Sequence, residues 1–237
     1  MDRDFLLRQI ALQRKYEKDC LPGKPVKQVN LSGEDFSGMD LSNLNFSNMD
    51  LNGCNFRNCV LNHVRFENTN LSDADFCFSL FVHVAFKKAR ASCVNFSYSF
   101  LYDIAIIDSE FDGASFSNTT VYSCSVMRSE FISTSYKECR IFNTDFDRTE
   151  LTDSKFKNVT LLDVNFTLTD FDYASIKNCI FTTVSFREEF ASDTTNTEFM
   201  RTQFFHCDFS GTHCNFSGTK LVTTGFTDCF FDEDCVK

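Results

Sequence analysis

Four groups of residues in this chain have side chains suited to chemistry. His206-Cys207 and His213-Cys214 read as HC-x5-HC, and both residue types are zinc ligands. His63, His83 and Asp103 are spaced twenty apart, and a fold that superposed such positions would line them up as a chelating column. Glu110, Glu130, Glu150 and Asp170 share that spacing and would form an acidic strip. Finally, the twelve cysteines would suit a disulfide framework in a small secreted protein. The chain carries no nucleotide-binding glycine loop, GxSxG, HExxH or CxxC pair, so the common enzyme classes find no motif.

What positions these groups is a period of five. From Leu31 to Phe186 every fifth residue is a core-type residue, without one slip in phase, and only Ala91 is small for the role. Two residues before each centre lies a small or medium one, such as Cys54, Cys59, Val64, Thr69, Ala74 and Ser79; Glu34 is the charged exception. Two inward residues in five fit neither the helical nor the strand period. They fit a chain that turns a corner every five residues. Four sides then close a square coil of twenty residues, and coils stack at strand spacing, roughly 4.8 Å. Side two would stack Phe36, Phe56, Phe76, Phe96, Phe116, Tyr136, Phe156 and Ile176. Side four would stack Phe46, Phe66, Phe86, Ile106, Val126, Phe146, Phe166 and Phe186. The 30 phenylalanines are therefore read as core, each worth about 1.5–3 kcal/mol on burial.

Units such as MDLSN (39–43), CNFRN (54–58), ADFCF (74–78), TDFDR (144–148) and VNFTL (164–168) resemble the pentapeptide-repeat family, whose unit is A(D/N)LXX. The resemblance covers about residues 29–235. It implies an all-β fold, a right-handed quadrilateral parallel β-helix, in keeping with the right-handed preference of parallel crossovers. The phase breaks after Phe186, where EEFASDTTN (188–196) reads as an excursion from one corner. It resumes at Phe199, Phe204 and Phe209, and Thr212 and His213 then bulge before Phe216, Leu221, Phe226 and Phe231. About ten coils are expected over residues 29–237. Residues 1–28 form a cap and linker: Phe5, Leu6, Leu7, Ile10, Ala11, Leu12 and Tyr16 suggest an amphipathic helix over about 4–19, with Asp2 or Asp4 as its N-cap. A helix there would cover the open end that every solenoid must protect; a detachable targeting or partner-binding helix is the other reading.

The register reinterprets the chemical candidates. Cys54, Cys59, Cys124, Cys139, Cys179, Cys207, Cys214 and Cys229 all fall on the small inward position, where free cysteine acts as a small hydrophobe. Unpaired thiols and a cytoplasmic setting follow, either a bacterial cytosol or a host cytosol for a secreted effector. With Cys207 and Cys214 inward, the adjacent histidines point outward and the four groups do not converge, so no metal is expected. The His63, His83, Asp103 column reads as a solvated corner. No cofactor is implied. The net charge of −10 is uneven: residues 1–28 hold seven Lys/Arg against four Asp/Glu, and the remainder 16 against 29. That balance disfavours direct phosphate-backbone binding. No run reaches transmembrane length and no signal peptide is recognised.

Outward positions carry the functional reading. On side three the residue after the centre runs Ser42, Asn62, Val82, Tyr102, Tyr122, Phe142, Leu162, Thr182. Five successive coils thus present an apolar residue in a column that is polar at both ends. Val60, Leu80, Phe100 and Ile180 add to it from the position before the centre, and Phe78 and Tyr98 from the preceding corner. Such a patch marks an interaction site unless the excursion or another protomer covers it. The expected function is a non-catalytic protein-interaction module, of the kind a bacterial effector or adaptor would be, with a protein partner or a homodimer on side three. The family resemblance supplies an alternative. Quinolone-resistance pentapeptide proteins mimic DNA and bind type II topoisomerases such as gyrase, and here the acidic strip would play that part. Those proteins dimerise through a C-terminal segment, whereas this sequence is read as ending at FDEDCVK with no helix after its last unit.

Overall fold

The structure, a computed structural model, describes residues 2–21, 24, 26–186, 198–200, 202–205, 207–209 and 220–231. Each unit alternates inward and outward and then turns. In one unit Ser79 is buried, Leu80 exposed, Phe81 buried, Val82 half-buried, and His83 turns the corner at φ +53°. A left-handed residue recurs at every fifth position, from Gly33 (φ +73°) through Asn58 (+56°) and Asp103 (+55°) to Asn178 (+53°). Asn and Asp tolerate this region better than other side chains, and they hold many corners. A Cβ on Gly33, Gly38 or Gly53 would meet nothing within 4 Å, so glycine is there for its torsion and not for space. In several corners the residue after the left-handed one donates back to the centre, as Glu34 N does to Leu31 O at 3.1 Å and Ala74 N to Leu71 O at 3.0 Å. A left-handed third residue in such a turn is the type II arrangement.

Four parallel ladders run along the coil, beginning at Asn30↔Asp50, Asp35↔Asn55, Asp40↔Val60 and Asn45↔Arg65. The strict step of twenty persists on side one from Asn30 through Asp50, Asn70, Arg90, Glu110, Glu130 and Glu150 to Asp170. This makes about seven regular turns, slightly fewer than the eight coils that the unbroken units from Leu31 to Phe186 imply. Beyond them the pairing continues at wider intervals. Ser175 pairs with Gln203 and Ile180 with Asp208, a step of 28; Gln203 then pairs with Gly225 and Asp208 with Phe230, a step of 22. The excursion at 188–196 and the bulge at Thr212 and His213 lie outside the described residues. The strands flanking them are separated by eight and two residues more than one coil.

The interior is a stack of rings. Phe36, Phe56, Phe76, Phe96, Phe116, Tyr136 and Phe156 follow one another with centroids 4.5–5.4 Å apart. Phe46, Phe66 and Phe86 do likewise on side four and meet the first column edge-on at about 6.2 Å, the geometry aromatic quadrupoles favour. Where side four substitutes Ile106 and Val126, ring volume is lost. A cavity of about 20 Å³ remains there, lined by Ile104, Cys124, Tyr136 and neighbouring apolar residues. The Tyr136 hydroxyl is buried and has no hydrogen-bond partner among the described residues.

The small inward position does more than fit. Ser79 Oγ donates to Phe56 O at 2.7 Å, Ser99 Oγ to Phe76 O at 2.7 Å and Thr119 Oγ1 to Phe96 O at 2.8 Å. Cys54 and Cys59 reach Leu31 O and Phe36 O in the same way, at 3.0 and 3.1 Å. Corner carbonyls that face the interior are thereby satisfied. Burial pushes the thiols of Cys54 and Cys124 up to about 12 and those of Cys59 and Cys139 up to about 11, so they are poor nucleophiles. All ten described cysteines are free. Glu34, the charged exception, is exposed in the first coil.

The helix α1, Arg3–Lys18, is N-capped by Asp2, whose carboxylate accepts from Phe5 N at 2.6 Å. Leu6 is fully buried and Ile10 and Tyr16 pack on the core, but Phe5, Leu7 and Leu12 remain exposed. The key contact is polar. Gln13 is buried; its Oε1 accepts from Val29 N at 2.7 Å and its Nε2 donates to Lys27 O at 3.2 Å. One side chain thus stands in for a neighbouring strand. Arg14 donates to Ser47 O at 2.7 Å, and Arg3 donates to Asp40 O. The expected cap is present, with a glutamine at its centre.

Two outcomes follow from this interior. Phe96 is buried between Phe76 and Phe116, so Phe96→Ala should cost about 3–5 kcal/mol in urea melts; wild-type stability would contradict the register. Thiol titration in denaturant without reductant should count all 12 cysteines, and a reproducible deficit of two or more would show a disulfide.

Candidate functional site: the aromatic face of side three

Side three is built by parallel strands whose centres Leu61, Phe81, Leu101, Val121, Ile141 and Leu161 point inward and are buried. The residues on either side of each centre therefore face out. The in-register pairs Val82↔Tyr102, Tyr102↔Tyr122, Tyr122↔Phe142 and Phe142↔Leu162 bring the sequence-derived column together. Tyr102 and Tyr122 are 37% and 40% exposed and stack with centroids 5.6 Å apart. Val82, Phe142 and Leu162 are half-buried, less open than an outward column suggests. Tyr122 meets Phe142 edge-on at 6.5 Å.

The second column runs Val60↔Leu80↔Phe100↔Thr120, with its three apolar residues exposed. Phe100 lies parallel to Tyr102 at 6.5 Å. At the leading corner Phe78 stacks on Tyr98 at 4.9 Å, and Arg57 sits over the Phe78 ring at 5.4 Å. Tyr98 is 55% exposed. At the trailing corner His63 stacks on His83 at 4.7 Å, and His83 Nδ1 lies 2.6 Å from Asp103 Oδ2. This column exists as the spacing implies, but it is a ring stack and a hydrogen bond. Among the described residues no three His, Cys, Asp or Glu gather as a metal site. His206, His213 and Cys214 lie outside the described residues; Cys207 is buried.

On side one the acidic strip is in register, Glu110↔Glu130↔Glu150↔Asp170. Burial, then Asp112, Glu150 and Glu110, raise the Glu130 carboxyl above its ordinary value. Asp170 is pushed up to about 6, chiefly by burial, with Asp172 and Glu150 adding repulsion. Asp172 N donates to Asp170 Oδ1 at 2.7 Å, and Asp172 itself is buried.

A family model described as "Pentapeptide repeat region" matches residues 27–96, and one described as "Pentapeptide repeats (8 copies)" matches 149–187. Among curated proteins no match reaches significance. Three solved structures illustrate the likeness. HetL, a pentapeptide repeat protein involved in heterocyst differentiation regulation from Nostoc sp. strain PCC 7120, is 14% identical over 97% of this chain and 94% of its own, with a TM-score of 0.39. QnrB1, a plasmid-mediated fluoroquinolone resistance protein, is 15% identical over 84% of this chain and 92% of its own, with a TM-score of 0.35. A mannuronic acid specific polysaccharide family 6 lyase from human gut microbiota is 9% identical over 91% of this chain and 80% of its own, with a TM-score of 0.34. Likenesses at this level transfer no function. The matched segments carry the same five-residue unit that turns the corners of the backbone, so residues 27–96 and 149–187 are pentapeptide repeats.

Proposed function

We propose that this protein is a non-catalytic interaction module that binds a protein partner through the aromatic face of side three. The observation that supports it is the run Val82, Tyr102, Tyr122, Phe142, Leu162, flanked by the exposed Leu80, Phe100 and Tyr98. The coil does not need these residues: equivalent positions elsewhere are Ser, Asn or Thr, and the fold is unchanged there. Tyr and Phe offer large contact area with few torsions to freeze. The free buried thiols suit a reducing cytosol, and among the described residues no helix is long and apolar enough to cross a membrane.

A second reading rests on the acidic strip. Glu110, Glu130, Glu150 and Asp170 repeat at strand spacing, so like charges stand closer than relaxed surface carboxylates would. A strip of this kind would imitate a phosphate backbone toward a topoisomerase such as gyrase.

The two readings separate by substitution. Tyr102→Asp with Tyr122→Asp should leave circular dichroism and the thermal melt near wild type and abolish partner capture or self-association. Glu130→Lys with Glu150→Lys should leave that binding intact. The reverse pattern, together with loss of inhibition in a gyrase supercoiling assay, would favour the acidic strip.

The strip also has a pH signature. Asp170 titrates at about 6 in the fold against an ordinary 3.8, so between these values the folded chain holds a proton that the unfolded chain releases. Stability should decline as pH rises through that window. Asp170→Asn keeps the acceptor for Asp172 N and should flatten this decline. Parallel urea melts of the two proteins from pH 4 to 7 would check it; equal slopes would show that Asp170 is not perturbed.

A further inference from the structure

We infer that side three pairs with side three of a second copy of this chain, with the coil order reversed about the coil that carries Tyr122. The inference rests on the reading of side three as an interaction face and commits it to one occupant.

The argument begins with polarity along the column after the centre. It reads Asn62, Val82, Tyr102, Tyr122, Phe142, Leu162, Thr182, with apolar residues flanked by one polar residue at each end. Tyr122 is its midpoint, so reversing the order about Tyr122 lays the run on itself. A two-fold axis lying in the interface along the strand direction performs this reversal and keeps each column opposite itself. An isologous contact of this kind needs a self-complementary patch. Tyr122 then faces its own copy, Tyr102 faces Phe142, Val82 faces Leu162, and Asn62 faces Thr182. In the other column Val60 faces Ile180, both exposed, Phe100 faces Arg140, a pairing open to a cation–π contact, Leu80 faces Thr160, and Thr120 faces its own copy. Because both copies have one coil spacing, set by strand pairing, the contacts stay in step along the face.

The two corners are compatible with this register. His83 faces Asp163, Tyr98 faces Glu138, and Asp103 faces Asn143. No like-charged pair is opposed. The competing arrangement, with the axis along the solenoid, sets each coil against its own copy. Val60 would then face Asn62, Tyr122 would face Thr120, Leu162 would face Thr160 and Ile180 would face Thr182, while Phe142 would face Arg140 much as Phe100 does in the reversed order. It opposes apolar residues only at Leu80 with Val82 and Phe100 with Tyr102. The reversed order is therefore favoured. From the coil of Val60 to that of Ile180 the face is about 29 Å long, short for a permanent dimer, so the pairing is a concentration-dependent equilibrium.

Sedimentation of the full chain over a concentration series tests this. The mass should rise from 27.3 kDa toward twice that value. Val82→Glu alone and Leu162→Lys alone should each remain monomeric, because each buries an unpaired charge against an apolar partner. An equimolar mixture of these two variants should form the mixed dimer, since the introduced carboxylate meets the introduced ammonium across the interface. Within one chain these positions are four coils, roughly 19 Å, apart, so rescue can arise only between copies. Wild type that stays at 27.3 kDa throughout overturns the pairing. In that case side three is still judged separately, by whether the Tyr102 and Tyr122 substitutions abolish capture of another protein. A wild-type dimer without rescue in the mixture overturns the reversed order.

Discussion

Stacking at strand spacing sets the terms for the side chains of the regular coils, where each residue lies directly above the one twenty positions earlier. For phenylalanine this is favourable, and centroids from Phe36 to Phe156 settle at 4.5–5.4 Å along one column. For asparagine it is favourable as well, because an amide can donate to the acid or amide below it, as Asn95 does to Asp75 and Asn178 to Asn158. For carboxylates it is not, and the raised Asp170 reports the repulsion alongside its burial. One geometric rule thus makes the interior, ties the surface, and concentrates both apolar and acidic character into stripes.

A second layer of the design concerns backbone polarity. Turning a corner every five residues leaves carbonyls pointing where no strand partner can reach. The inward Ser, Thr and Cys residues reach them, as the bonds from Ser79, Ser99 and Thr119 show. Where an Asp or Asn precedes the centre, it serves the outer side. Asp35 Oδ1 accepts from Ser37 N at 3.0 Å and Asn55 Oδ1 from Arg57 N at 3.1 Å, each just ahead of the left-handed residue. The second letter of the repeat unit is therefore a turn residue in the physical sense.

Much of this was legible in the sequence. The unbroken phase from Leu31 to Phe186 dictates four sides, a phenylalanine interior and the columns on side three, because a period of five admits no helix or flat strand. The left-handed corners were not read, although Asn, Asp and Gly at every fifth position signal them; residues such as Phe78, Tyr98 and Thr183 hide the pattern. Gln13 was missed for a different reason. A polar residue on a helix reads as solvent-facing unless the exposed edge it completes is already known. The coil count differs slightly from the expected one, because pairing beyond the regular turns runs at steps of 28 and 22 rather than twenty. Spacing alone does not specify the half-burial of Val82, Phe142 and Leu162.

The void beside Ile106 and Val126 gives the rod a mechanical character. Elsewhere rings press on rings, so load passes from coil to coil through incompressible contacts. At this level two aliphatic side chains replace two rings, about 20 Å³ is empty, and a phenol hydroxyl has no hydrogen-bond partner among the described residues. Compression, bending or raised pressure would find its least resistance there, since eliminating internal volume is what pressure rewards. That compliant layer lies directly behind Tyr102 and Tyr122. The Tyr102 and Tyr122 pair on the surface therefore rests on a layer of the interior that has lost ring volume.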